Sequence, residues 1–277
     1  MADLVTPKGE AAARPPARFG RIAPRVLSAA SWLQRRFGLV YVLLAIVVGL
    51  GVGGFVVLLG RHTHHHASGP WSTWRPSQVG TFAYQQIADR IGHEYRLPNG
   101  QQLVAVDAKL PELQGIPISG VAIRSGPPGE VPKDLKVYPI VNGAMFQLCG
   151  AASNCVIPGT PSLERGLLIR REALELALYT FRFLPGVDSV LVWVPPTAGS
   201  DVKRALFLRR VDLGQQLSQP LKETLTPEKQ LRPGELSARD RANVGRFTQY
   251  HFFDLDRVQQ LPDSTLLPVF TPPALNP

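Results

Sequence analysis

Apolar residues in this chain form one uninterrupted run, followed by shorter stretches that alternate with polar residues. The run spans 39–60 and holds 22 residues without a charge. At about 1.5 Å per residue, a helix of that length crosses a hydrocarbon core of about 30 Å. A cleaved signal peptide is the rival interpretation, but it requires a shorter run nearer the N-terminus. Because 38 residues precede the run, the pattern predicts a retained transmembrane helix.

The charges that flank this run predict its orientation. Residues 1–38 carry seven Lys or Arg side chains against two acids, a net charge of +5, whereas the far side offers only Arg61 before Arg75. Positive charge is retained on the cytoplasmic side. We therefore expect a basic, disordered cytoplasmic tail over 1–38, with a possible short amphipathic helix within it, and a protein that crosses the plasma membrane once.

Residues 61–76 are expected to form an extracytoplasmic linker and residues 77–277 an extracytoplasmic domain. Ser77 is a candidate N-cap for the first helix of that domain. An apolar stripe at helical spacing follows it, made of Val79, Phe82, Ala83, Ile87, Ile91 and Tyr95.

The longest periodic pattern predicts a helix over 160–186, capped by Thr160 or Ser162 and ended by Pro185-Gly186. One apolar stripe on it, Leu167, Leu174, Leu178 and Phe181, is expected to cover a sheet. The charged residues between these positions are assigned to the surface: Arg170, Arg171, Glu172, Glu175 and Arg182.

Period-two stretches predict the strands, including a pair over 189–209 and a hairpin over 246–270. Asn142-Gly143, between two apolar stretches, predicts a type I′ hairpin. Pro139 cannot donate a ladder hydrogen bond, so its strand is expected at a sheet edge. Helices interrupt the strands without regular βαβ alternation. The fold class expected is α+β, with one transmembrane helix and an outer domain built on a largely antiparallel sheet and two to four helices.

Charge narrows the set of partners. The net charge is +9, but +5 of it belongs to the predicted cytoplasmic tail. The outer domain is left with only +4, which argues against a nucleic acid partner. The basic tail suits anionic headgroups, so the lipid bilayer is the first partner expected.

The two cysteines of the chain, Cys149 and Cys155, flank five residues in "CGAASNC". In an oxidising compartment this spacing favours a disulfide that closes a tight loop. A pair of free thiols or half of a metal site is the alternative, but no further Cys or His lies nearby at regular spacing.

Four histidines, His62, His64, His65 and His66, follow the apolar run directly. Imidazoles at this density can bind zinc, copper or nickel, or respond to pH. The segment lacks an acidic or cysteine partner and ends in "ASGP", so a juxtamembrane linker is the first interpretation and a metal site the second. No cofactor is expected.

Gly49 and Gly53 form a G-x-x-x-G pattern inside the apolar run. Glycines four apart let two helix backbones approach closely in a membrane. The pattern is therefore typical of a homodimer or another helix partner, with a simple anchor as the alternative.

Enzyme motifs are weak in this chain. Ser200 to Lys203 formally matches S-x-x-K, but its companion motifs are missing and it falls in a predicted loop. Asp254 and Asp256, near His251, are better explained by ion pairs than by catalysis. No catalytic residue is assigned. We expect a single-pass bacterial envelope protein whose outer domain is a protein-interaction or assembly module. A tethered enzyme with an unrecognised site and a histidine-based metal or pH sensor are the alternatives.

Overall fold

A single eight-stranded sheet organises the part of the chain that the computed structural model describes, residues 70–125, 134–200, 202–227 and 230–273. The strands are β1 (Ala105–Lys109), β2 (Glu112–Leu113), β3 (Ile116–Pro117), β4 (Gly120–Ser125), β5 (Asp134–Pro139), β6 (Gly143–Cys149), β7 (Ser189–Val194), β8 (Arg204–Arg209), β9 (Phe252–Gln260) and β10 (Leu266–Thr271). The large sheet has the strand order β1-β6-β7-β8-β9-β10-β4-β5, and β2 and β3 form a separate ribbon.

Five of the seven strand pairings in the large sheet are antiparallel, and β6–β7 and β4–β10 are parallel. The predicted α+β class with a largely antiparallel sheet is therefore confirmed. Among the described residues, five α-helices accompany the sheet, one more than the upper bound expected. They are α1 (Thr81–Gly92), α2 (Leu163–Phe183), α3 (Gly214–Ser218), α4 (Leu221–Thr224) and α5 (Ala238–Thr248).

The predicted transmembrane helix, 39–60, lies outside the described residues. Within residues 70–125, 134–200, 202–227 and 230–273, no helix combines the length and the apolar character that crossing a bilayer requires.

The sheet curls strongly upon itself. Tyr138 of β5 and Phe207 of β8 lie four strands apart in the sheet order, yet their ring centroids are 5.8 Å apart. A flat sheet would separate them by about 19 Å, because neighbouring strands are about 4.8 Å apart. Trp193 of β7 also reaches Phe270 of β10, at 5.6 Å. The concave face therefore encloses an aromatic core of its own.

The convex face of the sheet is covered by the helices. Helix α2 begins where its predicted cap, Ser162, accepts a hydrogen bond from the Arg165 N–H at 3.2 Å, and it ends at Phe183, before Pro185. Its positions 171–181 are all buried. Helix α1 buries Ala83, Ile87 and Ile91 of its predicted stripe, so this stretch of the convex core follows the sequence pattern.

Two local predictions are wrong at the first helix. It begins at Thr81 with Gly80 as its N-cap, and the Ser77 N–H donates instead to the Gln86 side chain at 2.9 Å. Val79 therefore precedes the helix, and Phe82 of the predicted stripe is exposed.

The predicted hairpin at Asn142-Gly143 is also wrong. Strand β5 pairs with β4 at one end of the sheet, whereas β6 lies between β1 and β7 near the other end. Neither Asn142 nor Gly143 has the positive φ that a type I′ turn requires. Gly143 serves a different purpose, since a Cβ there would lie 2.3 Å from Ile140 Cγ1. The glycine permits a tight packing contact and does not set a hairpin turn.

A disulfide joins Cys149, the last residue of β6, to Cys155, as predicted. The enclosed loop is further held by two backbone bonds, from the Gly150 N–H to the Cys155 carbonyl at 2.9 Å and from the Ala152 N–H to the Val156 carbonyl at 3.1 Å. The crosslink therefore stabilises the end of β6, a strand that is paired on both sides, just before α2.

Replacing both cysteines with serine should lower the free energy of unfolding by about 2 kcal/mol, because a loop this short restricts the unfolded chain modestly. Urea unfolding of the full-length chain, followed by tryptophan fluorescence, measures the change. Reduced wild-type protein is the control and should match the double variant. An unchanged urea midpoint would contradict the prediction.

Candidate functional site

Most of the predicted site residues lie outside the described part of the chain. The four histidines, His62, His64, His65 and His66, and the two glycines, Gly49 and Gly53, all fall within residues 1–69. Across the residues that the structure does describe, no group of three or more His, Cys, Asp or Glu side chains could hold a metal ion.

The acidic pair near the C-terminus forms separate ion pairs. Asp254 accepts a hydrogen bond from Arg204 Nε at 2.7 Å. Asp256 accepts from the neighbouring Arg257 at 3.2 Å and lies 3.7 Å from Arg124. Each carboxylate is thus paired with a different arginine, as expected from the sequence, and the geometry is that of charge pairing along a strand.

Burial lowers the pKa of His251, although the nearby Asp212 carboxylate, 4.0 Å away, opposes that shift. The imidazole is therefore mainly neutral near pH 7.

A buried ionic cluster on α2 is the main feature that sequence reasoning missed. Arg171, assigned to the surface above, is only 1% exposed. Its Nε donates to Asp240 of α5 at 3.0 Å, and its Nη1 donates to Tyr95 and, at 3.1 Å, to Glu175. Its Nη2 donates to the Thr226 carbonyl at 2.6 Å. One guanidinium therefore ties together α2, α5 and two connecting segments.

The acids of this cluster are well satisfied. The Tyr95 hydroxyl donates to Glu175 at 2.6 Å, and Asp240 also accepts from the Thr226 N–H and hydroxyl, at 3.0 and 2.8 Å. Buried charges persist where each is paired and hydrogen-bonded. We interpret the cluster as a structural junction.

A sequence signal for this cluster did exist. Residues 173–181, "ALELALYTF", are apolar on nearly every helix face, which is typical of a helix buried all round. Charged residues next to such a segment are then expected to be buried and paired.

Glu172 is the exception within this region. It is 0% exposed, and neither of its carboxylate oxygens has a hydrogen-bond partner among the described residues. Burial raises its pKa well above the ordinary value, nearby Glu175 raises it further, and Arg171 opposes the shift. Glu172 is therefore protonated in the folded protein at a pH where the unfolded chain would be ionised.

Two cavities open on the concave side of the sheet. The smaller, about 370 Å³, is lined by aromatic and basic side chains from β4, β5, β8 and the start of β9. Its basic members are Arg124, Lys136 and Arg209, the mainly neutral His251 lies beside them, and no carboxylate from the described residues lines it. Arg209 is oriented by Asp212, which accepts from Nε at 3.0 Å and from Nη2 at 2.6 Å.

The larger cavity is an open groove of about 1100 Å³. Met145, Trp193 and Leu266 line it, and Ser200 and Lys203 lie on the loop that borders it. The Ser200 hydroxyl accepts from the Val202 N–H at 3.2 Å, as a loop serine does. Among the described residues that line the groove, Glu112 is the single carboxylate and no histidine joins it.

Comparison of the chain with protein families, with curated proteins and with solved structures finds no match.

Replacing Arg171 with methionine should lower the free energy of unfolding by about 3–5 kcal/mol, because it leaves buried acids without their cation. Urea unfolding of the full-length chain measures it. Arg241→Met is the matched control: its pair with Glu164 spans 3.3 Å but is well exposed, so the loss should stay below about 1 kcal/mol. Equal losses in both variants would refute the interpretation of a junction.

Replacing Glu172 with methionine should raise the free energy of unfolding. Because the pKa of Glu172 is raised in the folded protein, this carboxyl lowers the free energy of unfolding most above pH 4.5, where the same group is ionised in the unfolded chain. Below pH 4.5 it lowers the free energy of unfolding less. We expect a gain of about 1–3 kcal/mol at pH 8 and a smaller one at pH 4. Urea titrations at the two pH values test this, with the exposed Glu223→Met as control. A gain independent of pH would argue against a buried neutral acid.

Proposed function

We propose that this protein is a single-pass membrane protein of a bacterial envelope, anchored by 39–60 with its N-terminus in the cytoplasm. Its extracytoplasmic domain binds an extended segment of another envelope protein, which adds as a strand to the open edge of the sheet at β5. The basic tail and the uncharged run support the anchor and its orientation. The Cys149–Cys155 disulfide suits an oxidising compartment.

The position of β5 carries the binding proposal. In the part of the chain that the structure describes, β5 pairs with β4 alone and ends the sheet. Its six residues are long enough to guide a second strand. Sheet edges with unpaired backbone groups are the surfaces on which peptide segments add as strands.

The backbone of β5 offers free groups at defined positions. The Ile140 N–H donates to the Ser119 carbonyl. In an antiparallel pair every second residue forms the hydrogen bonds to the neighbouring strand, so residues 138, 136 and 134 also direct their backbone groups toward β4. Leu135 and Val137 therefore direct their N–H and carbonyl groups outward. Pro139 has the same orientation as Leu135 and Val137, away from β4. The N–H that proline lacks would therefore have pointed to the open side, which is where a strand tolerates proline.

The side chains at this edge favour a partner. Leu135 is 47% exposed and Val137 is 55% exposed, on the same strand face. An added strand would cover part of this apolar surface while it completes the ladder. Backbone bonds then supply affinity and alternate side chains supply selectivity.

Self-association through Gly49 and Gly53 is a second proposal, favoured by the G-x-x-x-G spacing. It concerns the anchor, so it is compatible with partner binding at β5. Cross-links confined to the span would indicate a homodimer alone.

The proposal is tested by placing a photo-crosslinking amino acid at position 137 of the full-length chain in native membranes. The control position is Val211, which is also apolar and is 76% exposed, but lies outside the edge strand. We expect one reproducible protein cross-linked from position 137 and absent from position 211. The same products from both positions would indicate non-specific contact.

A companion variant tests strand addition directly. With the crosslinker at position 135, Val137→Pro removes one outward N–H while leaving the bonds to β4 in place, so the cross-link should fall severalfold. Val137→Thr keeps the donor and the branched shape, and should preserve the cross-link. An unchanged urea midpoint in both variants shows that the fold is intact. Full cross-linking by Val137→Pro would overturn binding along this edge.

A further inference from the structure

The small cavity on the concave side is built from residues of one strand face. Strand pleating sends Lys136 and Tyr138 of β5 inward, on the face opposite Leu135 and Val137. Phe207 and Arg209 of β8 alternate in the same way. The contact of Tyr138 with Phe207, at 5.8 Å, places these two strands on opposite walls of the curled sheet.

The chemistry of this cavity combines a charged wall and an apolar floor. Phe207 and Phe253 are buried and form the floor. Arg209 lies with its guanidinium carbon 4.7 Å from the Tyr138 ring centroid, stacked on the ring and held by Asp212. A guanidinium fixed from both sides presents its remaining donors at little entropic cost.

Two further basic groups lack full compensation. No carboxylate among the described residues lies within ion-pair distance of Lys136. Arg124 lines the same cavity, and its buried Nε–H has no acceptor within the described ranges. Buried polar groups in proteins are normally hydrogen-bonded. The cavity therefore offers donors and positive charge in excess of the acceptors around it.

We propose that this cavity binds a small organic anion with a flat apolar body, its charged group near Lys136 and Arg209 and its body over Phe207 and Phe253. The volume of about 370 Å³ lies within the usual range for small-molecule sites. This site lies behind β5 and is separate from the outward edge proposed for strand addition, so either proposal can fail without the other.

Calorimetric titration of the full-length chain with phenyl phosphate tests this site. We expect saturable binding, weaker binding of inorganic phosphate because it lacks the ring, and none of neutral benzyl alcohol at equal concentration. Absence of saturable heat from phenyl phosphate up to about 10 mM would overturn the proposal.

Lys136→Gln and Lys222→Gln form a matched pair of variants. Lys222 is an exposed lysine on α4 that does not line the cavity. Loss of the Lys136 charge should weaken phenyl phosphate binding about tenfold, while Lys222→Gln leaves it unchanged. Equal affinity in both variants would place the ligand elsewhere. Glycerol phosphate carries the phosphate of a lipid headgroup without an aromatic ring and should bind more weakly than phenyl phosphate; equal or tighter binding would indicate a lipid-headgroup site, which also overturns this proposal.

Discussion

Satisfying one buried guanidinium constrains how the helices of this domain pack. Arg171 lies on the longest helix, among residues that are otherwise mostly apolar, and its nitrogens find partners on α5, on α2 itself and on two connecting segments. An unpaired charge at that depth would cost several kcal/mol, so alternative packings that separate these elements are disfavoured. Apolar burial supplies the general driving force for packing, and the cluster selects one arrangement of the helices. The next residue, Glu172, is buried and has no hydrogen-bond partner among the described residues, so we expect it to destabilise the fold.

The curl of the sheet has a comparable effect on the other face. Because β5 comes back over β8, aromatic side chains from distant strands meet and form a second core. Among the described residues the sheet has two edge strands, β1 and β5, and its curl leaves openings on the concave side. Both surfaces proposed for binding, the β5 edge and the basic cavity, involve strand β5.

Much of the secondary structure was predictable from the sequence, because its signals are local. The cap and stop of α2, the strand pair formed by β7 and β8, and the disulfide all follow from short-range patterns. The edge position of β5 also followed from Pro139. The separation of β5 from β6 was not predictable, since sequence neighbours joined by a turn signal usually pair, whereas here β5 pairs with β4, and β6 pairs with β1 and β7. The buried cluster was missed because charged residues were assigned by type, and the apolar character of the surrounding helix was not weighed. The small cavity depends on contacts between strands far apart in sequence, which no local pattern reveals.

The place of β10 in the sheet has a consequence for how the chain acquires its structure. Strand β10, residues 266–271, lies between β9 and β4, so β4 and β5 join the rest of the sheet only through it. As the polypeptide is synthesised from its N-terminus, the β4–β5 pair must wait more than a hundred residues for that neighbour. Such a late, long-range closure slows folding and leaves strand edges open in the meantime. Strand β10 is the last strand of this sheet to be synthesised, so in a nascent chain that ends before residue 266 the β4–β5 pair has no strand to join it to β9.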